Sequence, residues 1–359
     1  MTLGQLASQI QGAQLRGRPA VVLDAVTHDS RQVEPGTLFV ALPGRHRNGL
    51  EFIPQALMNG ASALAVPPES ADLNVPVPLL VLPAPRQNLA EIAAAIYDHP
   101  AKALQLLGVT GTNGKTTVSV LLGRMLRAAG HPGGIIGTIC IDINGEQEPA
   151  QFTTPEAPEL HAILHRMRTA GVRSVAMEVS SIAIAEHRVT GLEFHAAAFL
   201  NLSEDHLDYH GDMSEYARAK SVLFSTLLAK NGVAIIHIGD DWGRTLHHEL
   251  RSTRPGLRQW TMDLETQSAD VHYRALTVGP QGISGLLQTP AGQVAIKSPL
   301  VGRFNACNIA AAVSLALNAG LKPQHLVSAI NDVTVPGRME PVLHEGDFLV
   351  LVDYAHTPD

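Results

Sequence analysis

Cysteine is nearly absent: Cys140 and Cys307 are the only two in 359 residues. That excludes a disulfide framework and fits a reducing compartment. Aromatic residues make up 4% of the chain, so its cores must be mainly aliphatic. Positive charge is in deficit. Lys plus Arg number 26 against 33 Asp plus Glu, a formal charge of −7. This argues against a general nucleic-acid or membrane-surface binder. No apolar run reaches the roughly 18 residues of a membrane span. The N-terminus, MTLGQLASQIQGAQLRGRPA, lacks the apolar core of a signal peptide. A cytoplasmic protein with no nucleic-acid and no membrane partner is expected. Internal repeats and low-complexity tracts are also missing. What is present suits a folded chain. Hydrophobic residues are 45% and charged residues 16%, which excludes disorder. At roughly 150 residues per domain, the length suggests two or three domains.

The first composition shift is the Pro-rich stretch from Val66 to Pro85. It closes a small α/β region, residues 1–90, and NLAEIAAAIYDHP then reads as a helical connector stopped at Pro100. In the middle region, 91–335, apolar runs of strand length recur at Leu104–Val109, Ser174–Val179, Ala196–Leu202 and Val233–Ile238. Helical patterns lie among them at Lys115–Ala129, Glu156–Ala170 and Met213–Ala229, and return at Asn305–Asn318 and Pro323–Asn331. Continuous apolar strands alternating with helices predict a mostly parallel sheet covered on both faces. A last strand, Phe348–Val352, opens a segment, 336–359, that the chain does not complete.

Four middle strands each end in a polar cluster: Thr110 to Thr117, Glu178-Val179-Ser180-Ser181, Asn201 to His206, and Gly239-Asp240-Asp241. Ligands of open α/β sheets bind outside the carboxyl ends of the strands, so the clusters are expected to converge. The first reads as a phosphate loop. Gly111, Thr112, Asn113 and Gly114 turn backbone N–H groups toward phosphates, Lys115 reaches the β and γ phosphates, and Thr116 serves Mg2+, with Thr117 following. It departs from the strict Walker spacing, because Val109 stands five before Gly114. Glu178 and His206 are candidate metal ligands, with Glu178 the better match to an oxygen-seeking ion. Asp205 and Asp208 could orient the His206 ring. Thr27-His28-Asp29-Ser30-Arg31 reads as a turn or cap, or as an anion clamp.

Gly111 to Thr117, Glu178 to Ser181, Asn201-Leu202-Ser203 with Asp205 to Gly211, Gly302-Arg303-Phe304-Asn305, Gly337 to Glu340 and Asp353-Tyr354-Ala355-His356 occur in the order seen in the Mur ligases. The chain resembles that family along essentially its whole length. Asp29-Ser30-Arg31 and Thr153-Thr154 resemble the branch that adds a diamino acid. The resemblance implies a small N-terminal α/β substrate domain, a central ATP-binding P-loop domain, and a Rossmann-like C-terminal domain that is essentially absent here. It implies an ATP-dependent, ADP-producing ligase of peptidoglycan precursor synthesis. Such an enzyme adds meso-diaminopimelate, or L-lysine, to UDP-MurNAc-L-Ala-D-Glu through an acyl phosphate. By the same resemblance Lys115, Lys220, Glu178 and His206 are catalytic. Thr116, Glu178, His206 and a carbamylated Lys220 hold Mg2+. Asn305, Arg338 and Asp353 join the phosphate loop in contacting ATP. His28, Ser30, His46, Arg47, Asn48, Thr153, Thr154, Ser180, Glu186 and Arg188 hold the UDP-sugar peptide. A monomer is expected, and the chain as given is expected to bind the UDP-linked substrate without forming product. The family usually has His after the serine pair and Gln two before the arginine. Here these are Ile182 and Glu186, and Glu186 adds negative charge near an anionic substrate. Phe152 replaces a residue that is polar in many members. The alternatives are a folylpolyglutamate synthase-like ligase and a binding-only module.

Overall fold

A computed structural model describes residues 1–44, 47–343 and 350–355. The chain divides into two compact units. One contains Met1–Ala103, Pro155–Thr169 and Ala185–Leu192, and the other contains Leu104–Thr154, Ala170–Ile184 and Glu193–Asp359.

The first unit runs α1 (Leu3–Gln9), β1 (Gln14–Arg16), β2 (Ala25–Thr27), β3 (Thr37–Val40), α2 (Ile53–Met58), β4 (Ala63–Val66), β5 (Leu79–Val81) and α3 (Pro85–Ile96). Its sheet has the order β1-β5-β4-β3-β2, with β1 antiparallel to β5 and the rest parallel. Both faces are covered. Leu38, Val40, Ala63, Ala65 and Leu80 enter a core with Leu3, Leu6, Leu89 and Ile92. Phe39, Leu64, Val66, Leu79 and Val81 enter a second core with Ile53 and Ala56. Alternate residues of one strand thus serve opposite cores, which is why these runs are apolar throughout. Helix α3 is part of this unit: Leu89, Ala90, Ile92 and Ala93 are buried in the first core. The expected boundary at residue 90 therefore falls inside a core helix.

The second unit contains β6 (Gln105–Thr110), α4 (Lys115–Ala128), β7 (Gly133–Ile136), β8 (Cys140–Ile143) and β9 (Glu146–Pro149). After α5 (Ala157–Thr169), which belongs to the first unit, come β10 (Ser174–Glu178), α6 (Ser181–Ala185), β11 (Phe194–Phe199), α7 (Leu207–His210), α8 (Met213–Ser225), β12 (Leu228–His237), α9 (Asp241–Thr253) and β13 (Arg258–Met262). They form an eight-stranded sheet of order β13-β12-β11-β6-β10-β7-β8-β9, parallel from β13 to β7 and antiparallel beyond. The expected mixed α/β fold with a mostly parallel central sheet is the one observed.

Helix α8 stops at Ser225, short of the helical pattern to Ala229, because Leu228 pairs with Phe194 at the start of β12. The sequence reading did not foresee the antiparallel β7-β8-β9 edge. Nor did it foresee the antiparallel sheet of β14 (His272–Gly279), β15 (Gly282–Thr289) and β16 (Gly292–Ser298). Tyr273, Ile283, Leu287, Val294 and Ile296 of that sheet share a core with α10 (Arg303–Asn318). The chain continues through α11 (Val327–Asn331) and ends in an antiparallel pair, β17 (Glu340–Leu343) and β18 (Val350–Val352). Phe348, Leu349 and His356 lie outside the described residues. Among the described residues no helix is long and apolar enough to cross a membrane.

Candidate active site

The loop between β6 and α4 is braced from the neighbouring strand end. Asn201 Oδ1 accepts from the Asn113 N–H at 2.9 Å, and Asn201 Nδ2 donates to the Asn113 carbonyl at 3.2 Å. Thr112 Oγ1 donates to the Ser203 carbonyl at 3.1 Å and accepts from the Ser203 N–H at 3.0 Å. Gly114 caps α4 with φ +90°, and a Cβ there would lie 2.3 Å from Asn308 Oδ1. Only glycine tolerates both conditions. Asn308 donates in turn to Asn305 Oδ1 at 3.0 Å, and Asn305 donates to the Val301 carbonyl at 2.8 Å. The loop thus rests on α10, and the N-terminus of α4 supplies the positive end that anions seek.

Lys115 Nζ donates to the Gly111 and Thr112 carbonyls at 2.8 and 2.7 Å. Lys220 Nζ, on α8, donates to the same Gly111 carbonyl at 2.9 Å and lies 4.4 Å from the Tyr216 ring centre. Lys220 is 1% exposed. Desolvation pushes its ammonium well below the usual lysine range, the Lys115 charge pushes the same way, and Asp205 opposes both. Desolvation also lowers Lys115, with Glu178 and Asp205 opposing. Tyr216 and Lys220 are four apart and so share one helix face. Burial pushes the Tyr216 phenol up to about 12.

Glu178 ends β10 and is 1% exposed. Its carboxylate accepts from Thr116 Oγ1 at 3.0 Å, Ser119 Oγ at 3.2 Å, and Thr138 N and Oγ1 at 2.9 and 3.0 Å. A Cβ at Gly137 would lie 2.2 Å from Glu178 Oε1, so the chain passes there only as glycine. Thr138 Oγ1 also lies 3.0 Å from Thr153 Oγ1. Thr154 Oγ1 donates to the Glu178 carbonyl at 2.8 Å and accepts from the Ser180 N–H at 3.1 Å. Thr138, Ser119, Asn308 and Tyr216 were not foreseen as site residues. Thr138 obeys the strand-end rule, since it follows Ile135-Ile136-Gly137.

His206 has φ +53° and its Nε2 lies 3.4 Å from Asp205 Oδ2. His210 Nε2 lies 2.9 Å from Ser181 Oγ. A cleft of about 230 Å³ is lined by Thr112 to Thr117, Thr138, Thr153, Ser180, Ser181, Asp205, His206, Tyr216, Lys220, Arg338 and Tyr354. Three of the four strand-end clusters therefore meet. The fourth does not line this cleft: Asp240 caps α9 through the Gly243 N–H and accepts from the Leu202 N–H at 3.2 Å. Arg338 stacks on Tyr354, and Asp353 accepts from the Met339 N–H at 2.7 Å. Among the described residues no three His, Cys, Asp or Glu side chains gather as a metal group. The Thr116 hydroxyl and the Glu178 carboxylate offer two hard oxygens. That fits Mg2+, which takes one or two protein ligands and completes its shell with phosphate and water.

The remaining candidates lie in the first unit. Ser30 Oγ donates to Gln55 Oε1 at 2.7 Å, and His28 Nδ1 is buried without a hydrogen bond. Asn48 caps the turn Gly49–Phe52, and the Arg47 guanidinium sits 6.0 Å from the Phe52 ring centre. Arg31 is held by Asp29 at 2.6 Å, which favours the cap over the anion clamp. Glu186 and Arg188 belong to an ion-pair cluster with Arg86 and Glu156. His46 lies outside the described residues.

Residues 109–316 match the Mur ligase middle domain, and residues 22–97 match the Mur ligase family catalytic domain. The chain is 41% identical over 350 residues to UDP-N-acetylmuramoyl-L-alanyl-D-glutamate–2,6-diaminopimelate ligase of Gloeobacter violaceus, covering 97% of this chain and 70% of that protein. The namesake of Thermosynechococcus vestitus is 41% identical over 334 residues, 92% of this chain and 66% of the relative. A solved structure of a ligase of that name superposes with a TM-score of 0.82 at 30% identity, covering 100% of this chain and 72% of the other. With the phosphate loop and the buried lysine lining one cleft and the strand-end carboxylate bonded to its Thr116 and Thr138, these likenesses mean that the chain belongs to the Mur ligase family.

Proposed function

We propose that the chain carries the ATP and UDP-sugar sites of a ligase of peptidoglycan precursor synthesis. It joins meso-diaminopimelate, or alternatively L-lysine, to UDP-MurNAc-L-Ala-D-Glu through an acyl phosphate. The observation that carries this reading is the pair of lysines on the Gly111 carbonyl beside the Thr116–Glu178 contact. Both lysines donate to the Gly111 carbonyl, and a nucleotide phosphate gives Lys115 an anionic partner in place of it. Lys115 then neutralises the transferring phosphoryl group, where positioning and charge do most of the work. Thr116 and Glu178 would hold Mg2+, with His206 nearby, and the ion supplies further charge neutralisation when bound. Lys220, as a free amine, adds to CO2 and loses a proton, becoming an anionic carbamate able to ligate the ion. Thr153, Thr154 and Ser180 lie beside Glu178, where the acyl end of the substrate must approach the phosphate. The relatives' names support the diaminopimelate assignment.

Calorimetry tests the reading. The chain is expected to bind ADP and UDP-MurNAc-L-Ala-D-Glu and to ignore pteroate compounds. Lys115→Ala is expected to weaken ADP by roughly 10- to 100-fold, the scale of a charged hydrogen bond to phosphate. Binding of pteroate in preference to the UDP-dipeptide favours the folylpolyglutamate-like alternative. ADP binding unchanged in the alanine variant removes the phosphate-loop assignment.

A further inference from the structure

We propose that Thr138 is a positioning residue for the Mg2+ site: its N–H and its hydroxyl hold the two oxygens of Glu178, which fixes the direction of the hydroxyl protons from Thr153 to Thr116. The proposal deepens the reading above, which gives the ion to Thr116 and Glu178.

Thr138 reaches Glu178 because of where the sheet turns. Strands β7 and β10 run parallel with Ile136 opposite Met177, so the residues just past Ile136 meet Glu178. The chain then reverses into β8 through Gly137, Thr138 and Ile139, and the Gly137 N–H donates to the Cys140 carbonyl at 3.3 Å. The missing side chain of Gly137 lets this turn close on the carboxylate. Thr138 N donates to Glu178 Oε1 at 2.9 Å, and Thr138 Oγ1 donates to Oε2 at 3.0 Å. One residue thus grips both oxygens and sets the plane of the carboxylate, through bonds strengthened by its charge.

The proton directions follow from the groups themselves. A carboxylate only accepts, and a hydroxyl has one proton. Thr116 and Thr138 both donate theirs to Oε2. Thr138 Oγ1 therefore accepts from Thr153 Oγ1, 3.0 Å away. Thr116 is left with lone pairs only, the form in which a hydroxyl ligates a cation. Ser119 has the Thr116 carbonyl as a second acceptor at 3.0 Å, so Oε1 keeps a lone pair for the ion. Without the Thr138 hydroxyl, Oε2 loses one of its two donors and the carboxylate is free to turn. Removing a partner that orients a metal ligand costs roughly 10- to 100-fold in metal affinity.

Calorimetry of ADP binding to the chain, across a Mg2+ titration and in EDTA, tests this. Thr138→Val keeps the branched shape and the backbone N–H and lacks only the hydroxyl. Thr138 lines the cleft and is exposed, so the fold should tolerate the change; should it not, Thr138→Ala carries the same test. The Mg2+ concentration giving half the maximal tightening of ADP is expected to rise roughly tenfold, while ADP affinity in EDTA stays within about threefold. Thr138→Ser is expected to restore the Mg2+ response, which a packing role for the threonine methyl would not. An equal loss with and without Mg2+ overturns the proposal, because it makes Thr138 a direct contact of the nucleotide. So does a loss that serine does not recover. If Mg2+ does not tighten ADP in the parent chain, the metal reading falls and this inference falls with it. A Mg2+ response that is present in the parent and unchanged in Thr138→Val strikes the role of Thr138 alone.

Discussion

Lys220 illustrates how one residue acquires its chemistry from burial. A lysine on a helix is normally solvated, but this one reaches under the phosphate loop and shares the Gly111 carbonyl with Lys115. Desolvation and the neighbouring cation both favour the neutral amine, and the neutral amine is the form that attacks CO2. With 13C-labelled bicarbonate at neutral pH, the chain is expected to show one protein-bound carbamate resonance that disappears in Lys220→Ala. Persistence of the resonance in the alanine variant assigns it to another amine. Its absence in the parent at saturating bicarbonate removes the carbamate from the proposed site.

At the scale of elements, the cleft depends on four strand ends, those of β6, β7, β10 and β11, and on α10 beneath the loop. Gly114 is where the loop and α10 meet. Gly114→Ala places a methyl 2.3 Å from Asn308 Oδ1 at φ +90°. It is expected to cost about 1–3 kcal/mol of stability from overpacking and strain, and to abolish measurable ADP binding by displacing Asn113. Urea melts and ADP calorimetry measure the two effects, and unchanged ADP affinity would show that the loop does not rest on Asn308. Thr110–Thr117, Glu178 and His206 could be read from the sequence because each sits where an apolar run turns polar, a local signal. Thr138 follows the four-residue strand Gly133–Ile136, which has two glycines and is too short to carry a period. Asn308 lies inside a helix that is apolar from Ala306 to Leu317 apart from Ser314, so it reads as core. Its role is set by a glycine nearly two hundred residues earlier. Lys220 is reached by family resemblance alone, since a lysine on a helix ordinarily reads as a solvated surface residue. The β14-β15-β16 sheet was missed because its half-exposed strands, bounded by Gly-rich turns, lack the long apolar runs that marked the parallel strands.

At the scale of the whole molecule, acid stability should hinge on a residue that does not line the candidate site. His161, on α5, is 2% exposed, and neither ring nitrogen makes a hydrogen bond. Just beyond α3, Asp98 and His99 both adopt left-handed backbone conformations, and His99 adds a like charge when protonated. Burial first, and His99 second, bring the His161 imidazole from 6.5 down to about 4. Between those values the unfolded chain holds a proton that the folded chain refuses, so stability rises with pH across this window. The contribution is fully present above about pH 6.5 and is lost as pH falls toward 4. A shift of this size corresponds to about 3 kcal/mol at 1.36 kcal/mol per unit. His161→Leu keeps the volume and removes the titration. Between pH 7 and pH 4, the parent is expected to lose about 3 kcal/mol more than this variant in urea melts followed by circular dichroism. Carboxylates elsewhere titrate in both proteins and cancel in the comparison. Parallel pH profiles for the two proteins would mean that the imidazole finds water or a partner when charged, and that acid sensitivity arises elsewhere.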